Sequence, residues 1–220
     1  LSPNSKLVII TTLILIFLGG LLIWLTDSYT PAESTFAKIF HSVFFSVSAR
    51  TAGFNTYPTE LLSAAPVMFL IILMWIGASP ASTGGGIKTT TFSIALIAFI
   101  NTIRGKERMT MFKRQVQTED IHRSFMIIFA SLIVLGIGCV VLMICEPTKN
   151  AIDLIFEATS ALGTVGLSRN QTFYIGTGGK TMLIILMYIG RIGALNFFLS
   201  FVAPPKEPNY TLPKAHILIG

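Results

Sequence analysis

The amino-acid sequence predicts an all-α integral membrane protein built from two membrane–pore-loop–membrane repeats, and two observations carry that prediction. One is a duplicated turn. Residues 51–54 read TAGF and residues 164–167 read TVGL, so Thr51 recurs as Thr164 and Gly53 as Gly166, each 113 positions on. Trp75-Ile76-Gly77 recurs as Tyr188-Ile189-Gly190 at the same displacement, so the later Gly follows the Thr by 26 residues in both copies. The other is composition. Hydrophobic residues make up 52% of the chain and charged residues only 12%, against about 25% in a soluble globular domain.

The first element is an apolar run over 7–25. A spanning helix needs about 20 mostly apolar residues, and this run is too long for a signal-peptide core and has no small-residue cleavage site behind it. A short helix over 35–49 follows, with Ser34 and Thr35 as candidate N-caps, and then the TAGF turn. The second span, 61–78, is broken by the Gly-rich stretch GASPASTGGGIKTTT (77–91) and resumes over 92–100. The second repeat offers a span over 125–145, a short helix over 151–162 with Thr148 or Asn150 as cap, the TVGL turn, and a last span over 181–203. Four spans result, the second irregular, and the chain divides into repeats at 1–122 and 123–220. The first residue is Leu rather than Met, which is expected of a piece of a longer protein. The two short helices cannot cross a bilayer. They suit half-helices that enter and return, which is tolerated only where the loop is buried in protein or lines water.

Charge gives the orientation. Lys6, the 104–123 segment and the tail carry nine basic and four acidic residues, whereas the opposite side carries five basic residues and six carboxylates. By the excess of Lys and Arg on cytoplasmic loops, the termini and the 104–122 loop are expected in the cytoplasm and the Thr-Gly turns towards the outside of a plasma membrane. The same asymmetry accounts for the basic balance without a nucleic-acid partner. Cys139 and Cys145 lie six apart in one span, point in different directions and read as inert packing residues. No nucleophile–base pair and no metal-ligand cluster stands out, so an enzyme is not predicted.

The turns carry the chemistry. A potassium-type filter replaces an ion's water shell with rings of backbone carbonyls, and glycine tolerates the dihedrals this requires. Gly53 and Gly166 are the leading candidates, with Thr51, Ala52 and Phe54, and Thr164, Val165 and Leu167, supplying carbonyls around them. Thr51 and Thr164 either add a hydroxyl or fix the strand. Short helices descending from outside would also aim their negative dipole ends at mid-membrane, which favours a cation.

SVSARTAGFN (46–55), IGASPASTGGGIKTTTF (76–92), ATSALGTVGLS (158–168) and YIGRIGALNFF (188–198) resemble the second half of the Trk/Ktr/HKT potassium transporters, and the bacterial Ktr/Trk membrane subunits most of all. The resemblance covers nearly the whole chain. It implies a potassium-channel-like fold in which four repeats surround one pathway, so this chain would hold repeats three and four and need the other half of the pore. It implies K⁺ as the transported ion, a homodimer within membrane lipid, and a cytoplasmic nucleotide-binding regulatory subunit that would dock on the 104–123 loop and the 206–220 tail. The Gly-rich stretch would be an intramembrane gating loop beneath the filter, with Ser82, Gly84, Gly85, Gly86 and Lys88. Arg191 would face the pore below the filter as an electrostatic barrier.

Read from residues alone, the Gly-rich stretch is a cavity-lining loop, a kinked helix or a short cytoplasmic turn. It is not a phosphate loop, because Ile87 separates Gly86 from Lys88. Lys88 either faces the pathway or reaches the headgroups. Arg50 is expected to be structural or at the outer mouth, Glu157 to anchor its helix or to lend negative potential, and His41 to pack rather than to ligate. Two functional alternatives stand beside K⁺ uptake: a Na⁺-conducting or Na⁺-dependent transporter of the same family, and a non-conducting membrane subunit.

Overall fold

Long apolar runs become long helices, as the first span illustrates: α1 covers Pro3–Thr26 and its N-terminus is capped by the Ser2 hydroxyl on the Ser5 amide. The structure, a computed structural model, describes residues 2–27, 34–105, 109–112 and 114–201. Expectations for Glu33, for Lys106, Glu107, Arg108 and Lys113, and for the 206–220 tail lie outside the described residues. After α1 come the short helix α2 (Thr35–Ser48), α3 (Ala64–Trp75) and α4 (Thr89–Ile103). A two-stranded antiparallel ribbon, β1 (Thr110–Met111) with β2 (Arg114–Gln115), links them to α5 (Thr118–Cys145). The second repeat continues with α6 (Ala151–Gly163), α7 (Thr177–Ile192) and α8 (Ala194–Leu199).

Among the described residues, α1 and α5 are the helices long and apolar enough to cross a membrane. Only 28% of the most apolar window of each is buried, so neither is the core helix of a soluble domain. Their exposed faces carry large apolar side chains such as Phe17 and Phe129, which lipid or further protein must cover.

Both short helices run back down the inside of the long ones. The Ser46 hydroxyl of α2 donates to the carbonyls of Leu15 and Ile16, 3.2 and 3.0 Å away. That point lies 11 residues from Thr26 along α1, or about 16 Å at 1.5 Å per residue. The chain then returns, because the Ser63 hydroxyl reaches the Thr26 carbonyl at 3.4 Å. The second repeat behaves alike. The Gly176 amide donates to Glu146 Oε1 (2.6 Å) where α5 ends and α7 begins, while α6 drives inward until its Leu162 carbonyl meets Gly190 near the far end of α7. The predicted caps hold in the forms Ser34 on the Ala37 amide (3.3 Å) and Asn150 on the Ile152 amide (3.0 Å).

Two predicted spans are corrected. The last does not run unbroken over 181–203: α7 stops at Ile192, and Gly193, at φ 95° and ψ 130°, redirects the chain into α8. Those dihedrals lie outside the helical well and suit glycine alone. The second span is shorter than 61–78. A single 3₁₀ turn occupies Thr59–Leu61, α3 starts at Ala64, and it ends at Trp75 where the Gly-rich loop departs.

Of two apolar clusters, one joins the repeats and the other lies within the second. One gathers Ile23, Phe45, Val67, Leu70 and Met74 of the first repeat and extends to Phe156, Val165 and Leu167 of the second. The other lies among α5, α6 and α7 around Leu142, Leu154 and Leu186. A polar tie joins the repeats through the core: the Trp75 indole N–H donates to Ser131 Oγ at 3.2 Å.

Close helix approach generates the first prediction. A Cβ at Gly190 would stand 1.9 Å from the Leu162 carbonyl oxygen, whereas nothing lies within 4 Å of one at Gly136. Gly190→Ala should destabilise the protein by about 1–3 kcal/mol through overpacking against backbone. Gly136→Ala, in the exposed middle of α5, should stabilise it by up to about 1 kcal/mol. Thermal unfolding midpoints of the detergent-solubilised protein check both.

Candidate functional site

Each short helix ends where its sequence leaves helical dihedrals. After α2, Ala49 closes the helix, and the Ala52 and Gly53 amides both return to the Ser48 carbonyl at 3.1 and 3.2 Å. The Ser48 hydroxyl donates to the Phe54 carbonyl across the turn. After α6, the Thr164 amide donates to Ala161 and the Val165 amide to Ser160, at 3.0 and 2.9 Å. In both turns positive φ falls on the Thr and on the Gly two residues later: Thr51 70° and Gly53 76°, Thr164 51° and Gly166 96°. A glycine at positive φ is ordinary. A β-branched threonine there is an outlier that persists only where surrounding contacts impose it. The sequence singled out both threonines for a hydroxyl or for fixing the strand, but gave no sign of the same backbone outlier at matched positions of two repeats.

The structure brings the two turns together. A Cβ at Gly53 would stand 2.3 Å from the Val165 carbonyl oxygen and 3.3 Å from Gly166 Cα. Their surroundings differ, however. Phe54 is 71% exposed and Leu167 only 3%.

The Gly-rich stretch closes on itself directly against these turns. Ile76 and Ile87 form a parallel bridge, with the Ile87 amide on the Trp75 carbonyl at 3.2 Å and the Thr89 amide on the Ala78 carbonyl at 3.3 Å. It is not a kinked helix. Gly85 donates its amide to Thr164 Oγ1 at 2.8 Å, and Gly84 lies against the Thr51 side chain. Here the threonine outliers find a cause: each Thr side chain touches the loop. Gly86 carries the loop back at φ 69°, and Ser82, exposed, donates its hydroxyl to the Ser79 carbonyl. The Lys88 ammonium folds onto the carbonyls of Gly84 and Ser82 rather than reaching towards headgroups. Arg191 sits exposed on the last turn of α7, two residues before the Gly193 break. A cavity of about 190 Å³ adjoins the loop, lined by Trp75, Lys88, Arg123, Ser131, Gly163 and Asn196 among others.

Three further residues resolve as structural. Arg50 donates to the Thr12 carbonyl and hydroxyl at 3.3 Å each, which ties the turn to the middle of α1. Glu157 is an anchor. Its Oε1 accepts from Ser168 Oγ (2.6 Å) and the Arg169 amide (2.9 Å), and its Oε2 from Thr172 Oγ1 (2.6 Å). His41 Nδ1 lies 2.8 Å from Thr56 Oγ1. Arg169, counted in the sequence only as an outward charge, proves the most connected: its Nε pairs with Asp153 at 2.7 Å and its Nη atoms reach the carbonyls of Thr59, Glu60 and Leu62. Among the described residues no group of acidic, His or Cys side chains could hold a metal.

Comparison with known proteins adds to this geometry. Residues 5–211 match the TrkH family model, described as cation transport protein. Ktr system potassium uptake protein D of Bacillus subtilis is 37% identical over 182 residues, 83% of this chain and 40% of that protein. Ktr system potassium uptake protein B of Vibrio alginolyticus is 35% identical over 226 residues, 100% of this chain and 49% of that protein. The potassium/sodium uptake protein NtpJ of Enterococcus hirae is 34% identical, over 100% of this chain and 51% of that protein. The chain therefore spans about half the length of the curated relatives it matches. In fold it is similar to the crystal structure of the potassium transporter TrkH from Vibrio parahaemolyticus, with a TM-score of 0.70 and 18% identity over 91% of this chain and 44% of that one.

The bond between loop and turn can be tested alone. Thr164→Val keeps the shape of the side chain but removes the acceptor for the Gly85 amide, a loss worth about 1–3 kcal/mol for a buried donor. Amide hydrogen exchange across 83–87 should accelerate by about tenfold or more if opening is local, while exchange in α1 stays unchanged.

Proposed function

The chain belongs to the TrkH family of cation transport proteins, a family of transporters rather than enzymes, and from that premise we propose that it forms part of a K⁺ uptake pathway across the plasma membrane. The observation that carries this is the matched pair of turns. Each follows a helix too short to cross a bilayer, and each alternates positive φ at Thr and Gly with the intervening residue. Alternating the sign of φ turns successive carbonyls to one side, as a filter that replaces an ion's water shell requires. Thr51, Ala52, Gly53 and Phe54 supply one side of that filter, and Thr164, Val165, Gly166 and Leu167 another. The C-terminal ends of α2 and α6 add negative potential at the same depth. Two further repeats complete the ring.

The Gly-rich loop is the gate in this reading. Ser82 to Lys88 lie beneath the turns and are held by few bonds, of which Gly85 to Thr164 is central. The neighbouring cavity offers room for the loop to withdraw. Arg191 and Lys88 form a cationic barrier below the filter, and displacing the loop carries Lys88 away and lowers it. Termini and the 104–122 loop face the cytoplasm, where a nucleotide-binding regulatory subunit controls the gate, and the protein works as a homodimer in lipid. A Na⁺-conducting pathway is the second reading. The likeness to a potassium/sodium uptake protein favours keeping it in the test, although neither turn replaces its glycine with serine.

Rubidium uptake into proteoliposomes holding the full-length protein, competed by K⁺ and separately by Na⁺, tests the proposal. Block by K⁺ and not by Na⁺ is expected, and equal block by both would favour the second reading. Gly53→Ser and Gly166→Ser should each lower the preference for K⁺ by about tenfold or more, roughly 1.4 kcal/mol of differential binding. Arg191→Gln should raise the uptake rate at unchanged preference.

A further inference from the structure

We propose that Arg169 is a positioning residue for ion selectivity, a single side chain that fixes the spacing of the two turns from their outer side. This rests on the reading of the turns as a filter. Arg169 follows Gly166 by three residues, and Thr59 follows Gly53 by six, so each lies just beyond its turn as the chain leads away. The guanidinium joins the two segments. Its Nε pairs with Asp153 on the first turn of α6, while Nη1 donates to the Thr59 carbonyl at 2.5 Å and Nη2 to the Glu60 carbonyl at 3.3 Å. Asp153 therefore references the first-repeat segment to the second pore helix. A second bond runs parallel, since the Thr59 hydroxyl donates to the Ser168 carbonyl at 2.5 Å.

The Arg169 backbone is itself held. Glu157, 4% exposed, accepts from the Arg169 amide and from the Ser168 hydroxyl, so the base of the clamp cannot slide along α6. The ion pair is sheltered as well, with side chains 13% and 17% exposed for Arg169 and Asp153. A pair so enclosed is screened less than a surface pair, and removing one member strands the other. The planar fork matters too: one guanidinium meets a carboxylate and separate carbonyls at once, which a lysine ammonium cannot reproduce.

The link to selectivity is geometric. The backbones approach so closely that a Cβ on Gly53 would collide with the Val165 carbonyl oxygen, so the turns leave no room between them for a side chain at that point. Discrimination between K⁺ and Na⁺ depends on the distance and number of carbonyls that the filter presents. A clamp a few residues away that sets the separation of the turns sets that distance. A side chain serving only the fold would alter how much protein survives, not which ion it prefers.

The test measures Rb⁺ uptake by the full-length protein as Arg169→Gln, Arg169→Lys and Asp153→Asn, recording the ratio of half-inhibiting Na⁺ to half-inhibiting K⁺ and the amount of folded protein separately. Arg169→Gln should lower the ratio about tenfold, Arg169→Lys should recover part of it, and Asp153→Asn should lower it in the same direction. Arg169→Gln combined with Asp153→Asn should lose little more than Arg169→Gln alone, since Arg169→Gln already removes the ion pair. A wild-type ratio in a folded Arg169→Gln protein overturns the clamp and leaves the filter standing. Should Arg169→Gln fail to fold, an unchanged ratio in Asp153→Asn overturns it equally. A wild-type protein with no preference for K⁺ overturns the filter reading and the clamp together.

Discussion

Non-helical backbone within an apolar slab has no water to satisfy it, and among the described residues the two Thr-Gly turns and the Gly-rich loop are arranged around that constraint. Two helices stop short, and a thirteen-residue excursion separates α3 from α4 beside their ends. Their amides and carbonyls find partners in one another. Ala52 and Gly53 return to Ser48, Val165 returns to Ser160, Gly85 borrows the Thr164 hydroxyl, and Ile87 reaches back to Trp75. Carbonyls without an amide partner receive a cation instead, the Lys88 ammonium on Gly84 and Ser82. The irregular pieces cluster because only together are they satisfied.

The same satisfaction couples turn to loop. Positive φ at Thr51 and Thr164 is unfavourable for a β-branched side chain, yet it directs one threonine hydroxyl to the Gly85 amide and sets the other side chain against Gly84. Movement of the loop therefore removes part of what holds the threonines in place. In the proposed function that coupling lets one event open the path and loosen the filter, with no long relay between them.

The two repeats share a pattern without sharing an environment. Leu167 enters the core of the first repeat, while Phe54 at the matching position stays exposed. Arg169 reaches across from the second repeat to the first, whereas Glu60, Leu62 and Thr59 offer it only backbone. A duplicated motif has thus become an asymmetric pair. In the proposed function, the exposed ring of Phe54 and the bare faces of α1 and α5 are surfaces left for further repeats and lipid.

Hydropathy, the 113-residue displacement, Gly53 with Gly166 and the three consecutive glycines were legible in the sequence by themselves, because each depends on local backbone chemistry and on the thickness of a bilayer. The helices followed from apolar length, and the caps from Ser34 and Asn150 before them. What tertiary structure alone decided was every relation between distant residues. The Gly193 break in the last span, the strained threonines, the seat of Lys88 on carbonyls and the reach of Arg169 to Thr59 are unmarked in the chain. An isolated Gly within an apolar run, or an Arg among outer loops, reads the same whether or not it is special. The Thr164 and Arg169 roles arise from contacts 79 and 110 positions apart, set by packing that no local pattern encodes, while Lys88 is seated on carbonyls only four and six positions back by a loop fold that packing imposes.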